Sequence, residues 1–194
     1  MLFSISNFVK IKKYMRNIEI EARSFIDRTE YKNLLKKLRK KSKFLASTNE
    51  ETIYFKVKKG DLRLRRNAKQ AFLIFKEGKI HDDSREEIEI VLDRDDFQKI
   101  KKLFQKLGYK EEIRWFRKRM IYKWGDIKVF LDDTKGYGLI LELEKIGKVK
   151  NQKRIHELLE EKIKFLGIEI TPKSIFENKF KYYKRNWRKI LKNK

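Results

Sequence analysis

The sequence predicts an α+β fold, a closed eight-stranded antiparallel β-barrel with inserted and C-terminal helices. Three observations lead there. Charged residues repeat at i, i+2, i+4 between apolar ones, first in Glu19-Ile20-Glu21-Ala22-Arg23. Side chains alternate between the faces of a strand, so Glu19, Glu21 and Arg23 share one face and Ile20 and Ala22 the other. The strand-like runs also follow one another through turns, with helices interspersed, rather than alternating one-for-one with helices. Strands with one face for helices and the other for a charged interior close naturally into a barrel, since closure removes edges.

The elements follow in order. Residues 17–26 read as a strand, and residues 30–41 as a helix carrying Tyr31, Leu34, Leu35 and Leu38 at helical spacing. Residues 43–59 are strand-like up to the turn signal Lys59-Gly60-Asp61. Short strands follow at 62–66 and 71–76, the second closed by Glu77-Gly78-Lys79, and a longer one at 84–92. Residues 94–107 form an amphipathic helix with Phe97, Ile100, Leu103, Phe104 and Leu107 on one side, stopped by Gly108. Strands at 113–124 and 127–131 make a hairpin around Gly125-Asp126. The turn Gly136-Tyr137-Gly138 leads to a strand at 139–146. A basic helix covers 151–166, and a last helix follows Pro172, with Ile175, Phe176, Phe180, Tyr183 and Trp187 as its packing face. No linker or repeat divides the chain, so residues 17–194 form one domain. Residues 1–16 are an N-terminal extension outside it, with Met15 as a candidate start.

The chain has 194 residues, 40% of them hydrophobic, which suffices for a core. With 52 Lys and Arg against 28 Asp and Glu, the formal charge is +24, which favours polyanionic partners. Cysteine is absent, excluding disulfides, thiolate metal sites and a cysteine nucleophile, as in a cytoplasmic protein. No apolar run is long enough to span a membrane.

The charged alternation recurs in Arg63 and Arg65, in Arg85, Glu87 and Glu89, in Arg117 and Arg119, and in Glu142 and Glu144. Carboxylates hold hard cations and arginines hold phosphate oxygens, so together they point to a metal–polyphosphate ligand. A Glu-x-Glu pair, its side chains roughly 7 Å apart, can flank a metal from one strand. Lys56 and Lys58, which share a face near Tyr54, are further candidates. His81 and His156 read as surface residues, and Gly136-x-Gly138 as a hairpin turn.

In this order the motifs resemble the CYTH domain of the triphosphate tunnel metalloenzymes. They are Glu-x-Glu-x-Arg, Leu-Arg-x-Arg, Arg-x-Glu-x-Glu, a basic-x-Arg strand and a closing Glu-x-Glu strand. The resemblance spans roughly residues 17–187, and Tyr54-Phe55 ahead of the Leu-Arg-x-Arg strand places it near the class IV adenylyl cyclase-like (CyaB-type) proteins. It implies a barrel whose tunnel binds a triphosphate with Mg²⁺ or Mn²⁺. By that resemblance Glu19, Glu21, Glu87, Glu89, Asp132, Glu142 and Glu144 match metal-site positions. Arg23, Arg63, Arg65, Lys76, Arg85, Arg117 and Arg119 match phosphate-binding ones, and Glu19, Glu21 and Arg119 are the catalytic candidates. Arg23 stands where lysine is usual, and the acidic residue often found before the Tyr-Phe pair is absent, with Glu50 and Glu51 nearby.

The expected substrate is a small triphosphate, acted on by a monomer or homodimer. The first expectation is a phosphohydrolase for tripolyphosphate, thiamine triphosphate or a nucleoside triphosphate. The second is an adenylyl cyclase, in which the ribose 3′-hydroxyl attacks the α-phosphorus and pyrophosphate leaves. Hydrolysis is preferred because water is always available, whereas no adenosine pocket or aromatic stacking platform stands out in the sequence. A basic nucleic-acid-binding module is the third reading, which strand alternation of arginines with glutamates disfavours.

Overall fold

The computed structural model describes residues 17–78 and 84–192; the N-terminal extension and His81 lie outside them. The elements, in chain order, are β1 (Asn17–Ile26), α1 (Arg28–Lys41), β2 (Lys43–Phe55), β3 (Asp61–Arg66), β4 (Gln70–Lys76), β5 (Ser84–Arg85), β6 (Glu87–Asp93), α2 (Asp96–Lys106), β7 (Glu111–Trp124), β8 (Ile127–Thr134), β9 (Gly138–Lys148), α3 (Gln152–Phe165) and α4 (Lys173–Lys192). α1 starts on a capping box: the Asp27 carboxylate accepts from Glu30 N–H, and Glu30 accepts from Asp27 N–H, both at 2.7 Å.

All strand pairings are antiparallel, in the order β5-β1-β9-β8-β7-β2-β3-β4-β6. The expected eight-stranded closed sheet is therefore corrected to nine strands in an open ladder. The strand read at 84–92 breaks at Glu86. Its first part pairs with β1 through Glu19↔Arg85 and Ile20↔Ser84, and its second part pairs with β4 from Lys76↔Glu87 to Gln70↔Asp93. The two ends of the ladder are thus neighbours in the chain. β1, beginning at Asn17, offers β5 only two paired positions, too few for a continuous seam.

Alternation sorts the two faces as the charged triplets require. On the helix side, Ile20 and Ala22 of β1, Val129 and Leu131 of β8 and Leu141 and Leu143 of β9 pack with Leu34 and Leu38 of α1 and with Ile155, Leu159 and Ile163 of α3. Gly147 permits α3 to approach: a Cβ there would sit 2.4 Å from Ile155 and 2.8 Å from Ile20. α2 covers the outer side of β2 and β3 through Phe97 against Ile53, Phe55 and Leu64.

α4 closes over one end of the curved sheet. Its Phe176, Tyr183 and Trp187 pack with Ile113, Tyr137 and Ile140. Tyr183 Oη donates to the Arg114 carbonyl and Trp187 Nε1 to the Glu112 carbonyl, each at 2.9 Å. The connection from α3 is fixed to β1, with Ser24 Oγ donating to the Glu169 carbonyl and Phe25 N–H to Thr171 Oγ1. Gly136, at φ +72°, admits Ile190 where a Cβ would lie 2.1 Å from it. No helix among the described residues is long and apolar enough to cross a membrane.

Candidate active site

The inner faces of the strands surround a cavity of about 1530 Å³, which all fourteen sequence-predicted metal and phosphate positions line; Glu19, Glu21 and Arg23 enter from β1, Arg63 and Arg65 from β3 and Lys76 from β4. Arg85, Glu87 and Glu89 enter from β5 and β6, Arg117 and Arg119 from β7, Asp132 from β8, and Glu142 and Glu144 from β9. Period-two alternation delivers each set to the interior, and antiparallel pairing brings the sets together. Glu21 lies opposite Glu144, and Arg23 opposite Glu142.

The carboxylates share the cavity without forming one ligand cluster. Among the described residues no group of three or more acidic or histidine side chains is gathered around a point that could hold a metal. Cations divide them instead. Lys76 pairs with Glu19 and, at 2.6 Å, with Glu87. Glu21 lies 3.2 Å from Arg23 and 3.6 Å from Arg85. Asp132 receives Arg119 through two bonds of 2.7 Å and Arg117 at 3.1 Å, while Glu142 lies 3.2 Å from Arg119. Glu144 pairs with Lys128 at 3.5 Å. Glu89 stands apart, exposed and in no ion pair among the described residues.

Titration exposes the imbalance. Burial, with the neighbouring carboxylates Glu144 and Glu87 and against the pull of Lys76, pushes Glu19 up to about 10. Burial also raises Glu142, but Arg119, Arg23 and Arg117 outweigh it and hold the group down at about 2. Burial and neighbouring carboxylates thus dominate at Glu19, and guanidiniums dominate at Glu142. Glu21 Oε1 and Glu87 Oε2 are buried without a geometrically formed hydrogen bond among the described residues, with Arg23 3.2 Å from the first and Lys76 2.6 Å from the second. The carboxylate oxygens of Glu19, Glu21, Glu87 and Glu144 on the cavity wall are hard donors that fit a divalent cation, and the Lys76 ammonium lies between Glu19 and Glu87.

Phosphate-binding capacity lies on the arginines. Arg65 makes no ion pair among the described residues, and its Nε is buried without a partner. Desolvation and the guanidiniums of Arg117, Arg119 and Arg63 lower its affinity for a proton, against the pull of Glu50. An anion is the missing counterpart. Arg119 is held over the Phe130 ring at 4.1 Å, with Nε and Nη2 committed to Asp132 and Glu142 and the Nη1 edge unused by them.

Two acidic residues join the site beyond the expected set. Asp61 accepts two bonds of 3.0 Å from Arg63 Nε and one of 3.2 Å from Arg85. It reads as part of a turn, yet Asp61, Arg63 and Arg65 obey the same alternation that marks the other strands. Glu50 accepts from Arg117 at 2.6 Å, while its neighbour Glu51 pairs with Arg66 on the other face. Alternation within Glu50, Thr52 and Tyr54, all on the cavity wall, carries that signal. Lys56 and Lys58 are exposed beyond the end of β2 and do not join the cavity. His156 lies half-buried on α3, away from the cavity lining.

One end of the cavity is aromatic, a gathering of rings that does not stand out in the sequence. Tyr54, Trp115, Tyr137, Phe176 and Phe180 line it, and the rings come from β2, β7, the β8–β9 turn and α4. Two guanidiniums mark the border with the charged part: Arg63 lies 4.6 Å from the Tyr54 ring centre and Arg23 lies 5.1 Å from that of Phe176.

The chain is similar to known proteins in sequence and in fold. The Methanocaldococcus jannaschii protein named "Putative adenylate cyclase MJ0240" is 35% identical over 162 residues, covering 78% of this chain and 90% of that protein. A conserved hypothetical protein of Pyrococcus furiosus superposes with a TM-score of 0.67 at 25% identity, over 78% of this chain and 91% of its own. The Hippeastrum protein named "Putative adenylyl cyclase HpAC1" superposes with a TM-score of 0.59 at 20% identity, over 80% and 90% of the two chains, which shows a shared fold. Residues 17–173 match the CYTH domain, and with β1 through α3 inside that span the chain belongs to the CYTH domain family.

Proposed function

We propose that the chain is a divalent-metal-dependent enzyme acting on a triphosphate inside a tunnel, first of all a triphosphate phosphohydrolase. The observation that carries this is the cavity lining, where arginines and carboxylates from both ends of the ladder converge. In this reading the sheet closes around the substrate through residues 84–93, whose two parts pair with β1 and β4. Arg65, Arg63, Arg117 and Arg119 bind phosphate oxygens, with Arg23, Arg85 and Lys76 completing the positive lining. Mg²⁺ or Mn²⁺, held by Glu19, Glu21, Glu87 and Glu144, supplies charge neutralisation and polarises a phosphoryl oxygen when bound. Glu142 and Asp132 act differently: they fix Arg119, whose uncommitted edge meets charge developing on the equatorial oxygens. Glu89, exposed and unpaired among the described residues, is assigned an outer position near the cavity mouth.

Adenylyl cyclase activity is the second reading, favoured by the aromatic end of the cavity and by the name of the M. jannaschii relative. The Hippeastrum protein, named a "Putative adenylyl cyclase", is described as having a dominant triphosphatase activity, which supports keeping hydrolysis as the first reading. They differ in which phosphorus faces the nucleophile. Incubation with ATP, tripolyphosphate or thiamine triphosphate and Mg²⁺ or Mn²⁺, followed by separation of phosphate, pyrophosphate and cyclic AMP, tests both. Release of phosphate supports hydrolysis, and pyrophosphate with equimolar cyclic AMP supports cyclisation. Absence of any product with all three substrates and both metals would refute both.

A further inference from the structure

α4 and the rings packed on it cover one end of the cavity, where the wall residues Tyr137 and Phe176 are buried. The opposite end is open. There Lys128 and Ile146 lie on the cavity wall and are more than half exposed. Resting on the triphosphate reading above, we infer that the anionic ligand enters at this open end over a row of three lysines, Lys43, Lys123 and Lys128, which captures it before it reaches the arginines.

The row follows from strand register. Lys43 on β2 lies opposite Lys123 on β7, and Lys123 lies opposite Lys128 on β8. Residues directly opposite one another in a sheet share a face. Lys128 is itself a wall residue, and Lys123 follows the wall residue Ile121 by two positions, so all three belong to the inner face and stand at its rim. The irregularity in β2 between Phe44 and Ala46 contributes to this. It leaves Leu45 without an opposite residue and sets Lys43, rather than Phe44, against Lys123.

The fold gains nothing from such a row. Like charges directly opposite on neighbouring strands destabilise a sheet. The cations that end α1 and α3 have a structural reason, since they complement helix C-termini. Strands carry only small net dipoles and offer the row no such compensation. Lys128 lies 3.5 Å from Glu144, whereas Lys43 and Lys123 are exposed and in no ion pair among the described residues. What the row does is extend the positive lining of Arg65, Arg117 and Arg119 outward to solvent. A cleft lined by one sign of charge concentrates its counter-ion and speeds association by about 10–10³-fold, an effect that fades with salt.

The test follows association of the Mg²⁺ complexes of tripolyphosphate and ATP by stopped-flow tryptophan emission, Trp115 being on the cavity wall. It compares the wild type with the double variants Lys43→Gln with Lys123→Gln and Lys181→Gln with Arg185→Gln. Each double variant loses two positive charges, but Lys181 and Arg185 lie on α4 and do not line the cavity. Lys128 is kept because it touches Glu144. At low salt the rim variant should associate about three- to tenfold more slowly than the wild type, and the α4 variant at nearly the wild-type rate. At about 1 M salt, where screening acts within about 3 Å, the three rates should converge. The rim variant should melt no lower than the wild type, since it is relieved of opposed like charges. Equal slowing in both variants, or none in the rim variant, would overturn the inference, because the row would then add nothing beyond net charge. A difference that persisted at high salt, or a lower melting temperature in the rim variant, would overturn it too, making the row a direct contact or a structural feature. Failure of the wild type to bind either complex would instead remove the triphosphate reading itself.

Discussion

Lys76 on β4 reaches the carboxylate of Glu19 on β1, fifty-seven residues earlier in the chain, and the same ammonium lies 2.6 Å from Glu87. This bridge spans opposite ends of the hydrogen-bonded strand order, one strand in from each edge. It puts a monovalent cation between carboxylates that otherwise repel one another. Burial, together with the neighbouring Glu144 and Glu87 carboxylates, outweighs Lys76, which favours loss of the Glu19 proton, so Glu19 retains its proton strongly.

Metal binding should therefore compete with Lys76. Chelation is expected to abolish turnover. Glu19→Gln and Glu21→Gln should each lower activity at least tenfold and weaken Mg²⁺ or Mn²⁺ binding without unfolding the protein, since the amide is isosteric with the carboxyl group. Calorimetric titration with Mn²⁺ checks the affinity directly. Undiminished metal affinity in either variant would remove that residue from the metal site.

Arg65 and Arg119 should separate function from stability. Both substitutions to Ala should weaken triphosphate binding, since charge-assisted contacts contribute about 1.5–3 kcal/mol each. Their effects on folding should diverge. Arg119→Ala leaves Asp132, 2% exposed, with only Arg117, and should destabilise by about 3 kcal/mol or more. Arg65→Met removes a cation that has no ion pair among the described residues, so it should raise the melting temperature while lowering activity. Equal loss of stability in the two would contradict the view that Arg65 is held ready for an anion.

Which parts of this were legible in advance follows from the range of the interactions. Alternation is local, so Glu19, Glu21 and Arg23, or Arg63 and Arg65, could be assigned to one face from their spacing alone. Asp61 was hidden because Lys59-Gly60-Asp61 is also a turn signal, and a strand's first residue resembles a turn's last. The break at Glu86 depends on which neighbour each half of 84–93 pairs with, a matter of partners far away in sequence. The ring cluster is less local still. Trp115 and Phe180 lie 65 positions apart and meet only once α4 docks on β7, so Phe180 reads in the sequence as packing alone.

Acid stability gives a further check through Glu50. Burial raises its affinity for protons, but Arg117, Arg119 and Arg65 outweigh burial and hold it down at about 2, below the ordinary value of 4.5. The unfolded chain thus binds this proton more tightly than the folded one. The associated stability, up to about 3 kcal/mol, is present above pH 4.5 and lost as pH falls toward 2. Glu50→Gln should be less stable at pH 7 and show a shallower decline between those limits, measured by urea unfolding in the presence of EDTA. A decline as steep as that of the wild type would assign the acid sensitivity to other carboxylates.

The +24 charge is expected to act separately from the tunnel. Lys181 and Arg185 are exposed on α4, on the side opposite the packed Tyr183 and Trp187, and neither reaches the cavity. Single-stranded RNA lacking a 5′-triphosphate should bind weakly, without sequence preference, and lose affinity steeply with salt, the logarithmic slope being about −0.7 per phosphate neutralised. Lys181→Glu with Arg185→Glu should reduce that slope by about one or two and leave tripolyphosphate turnover unchanged. Arg65→Ala should do the reverse. If the α4 double variant impaired turnover as much as Arg65→Ala, the basic helix would be the binding surface and the tunnel assignment would fail. Competition by 5′-triphosphate RNA against tripolyphosphate at micromolar concentration, persisting at high salt, would instead identify RNA ends as the substrate.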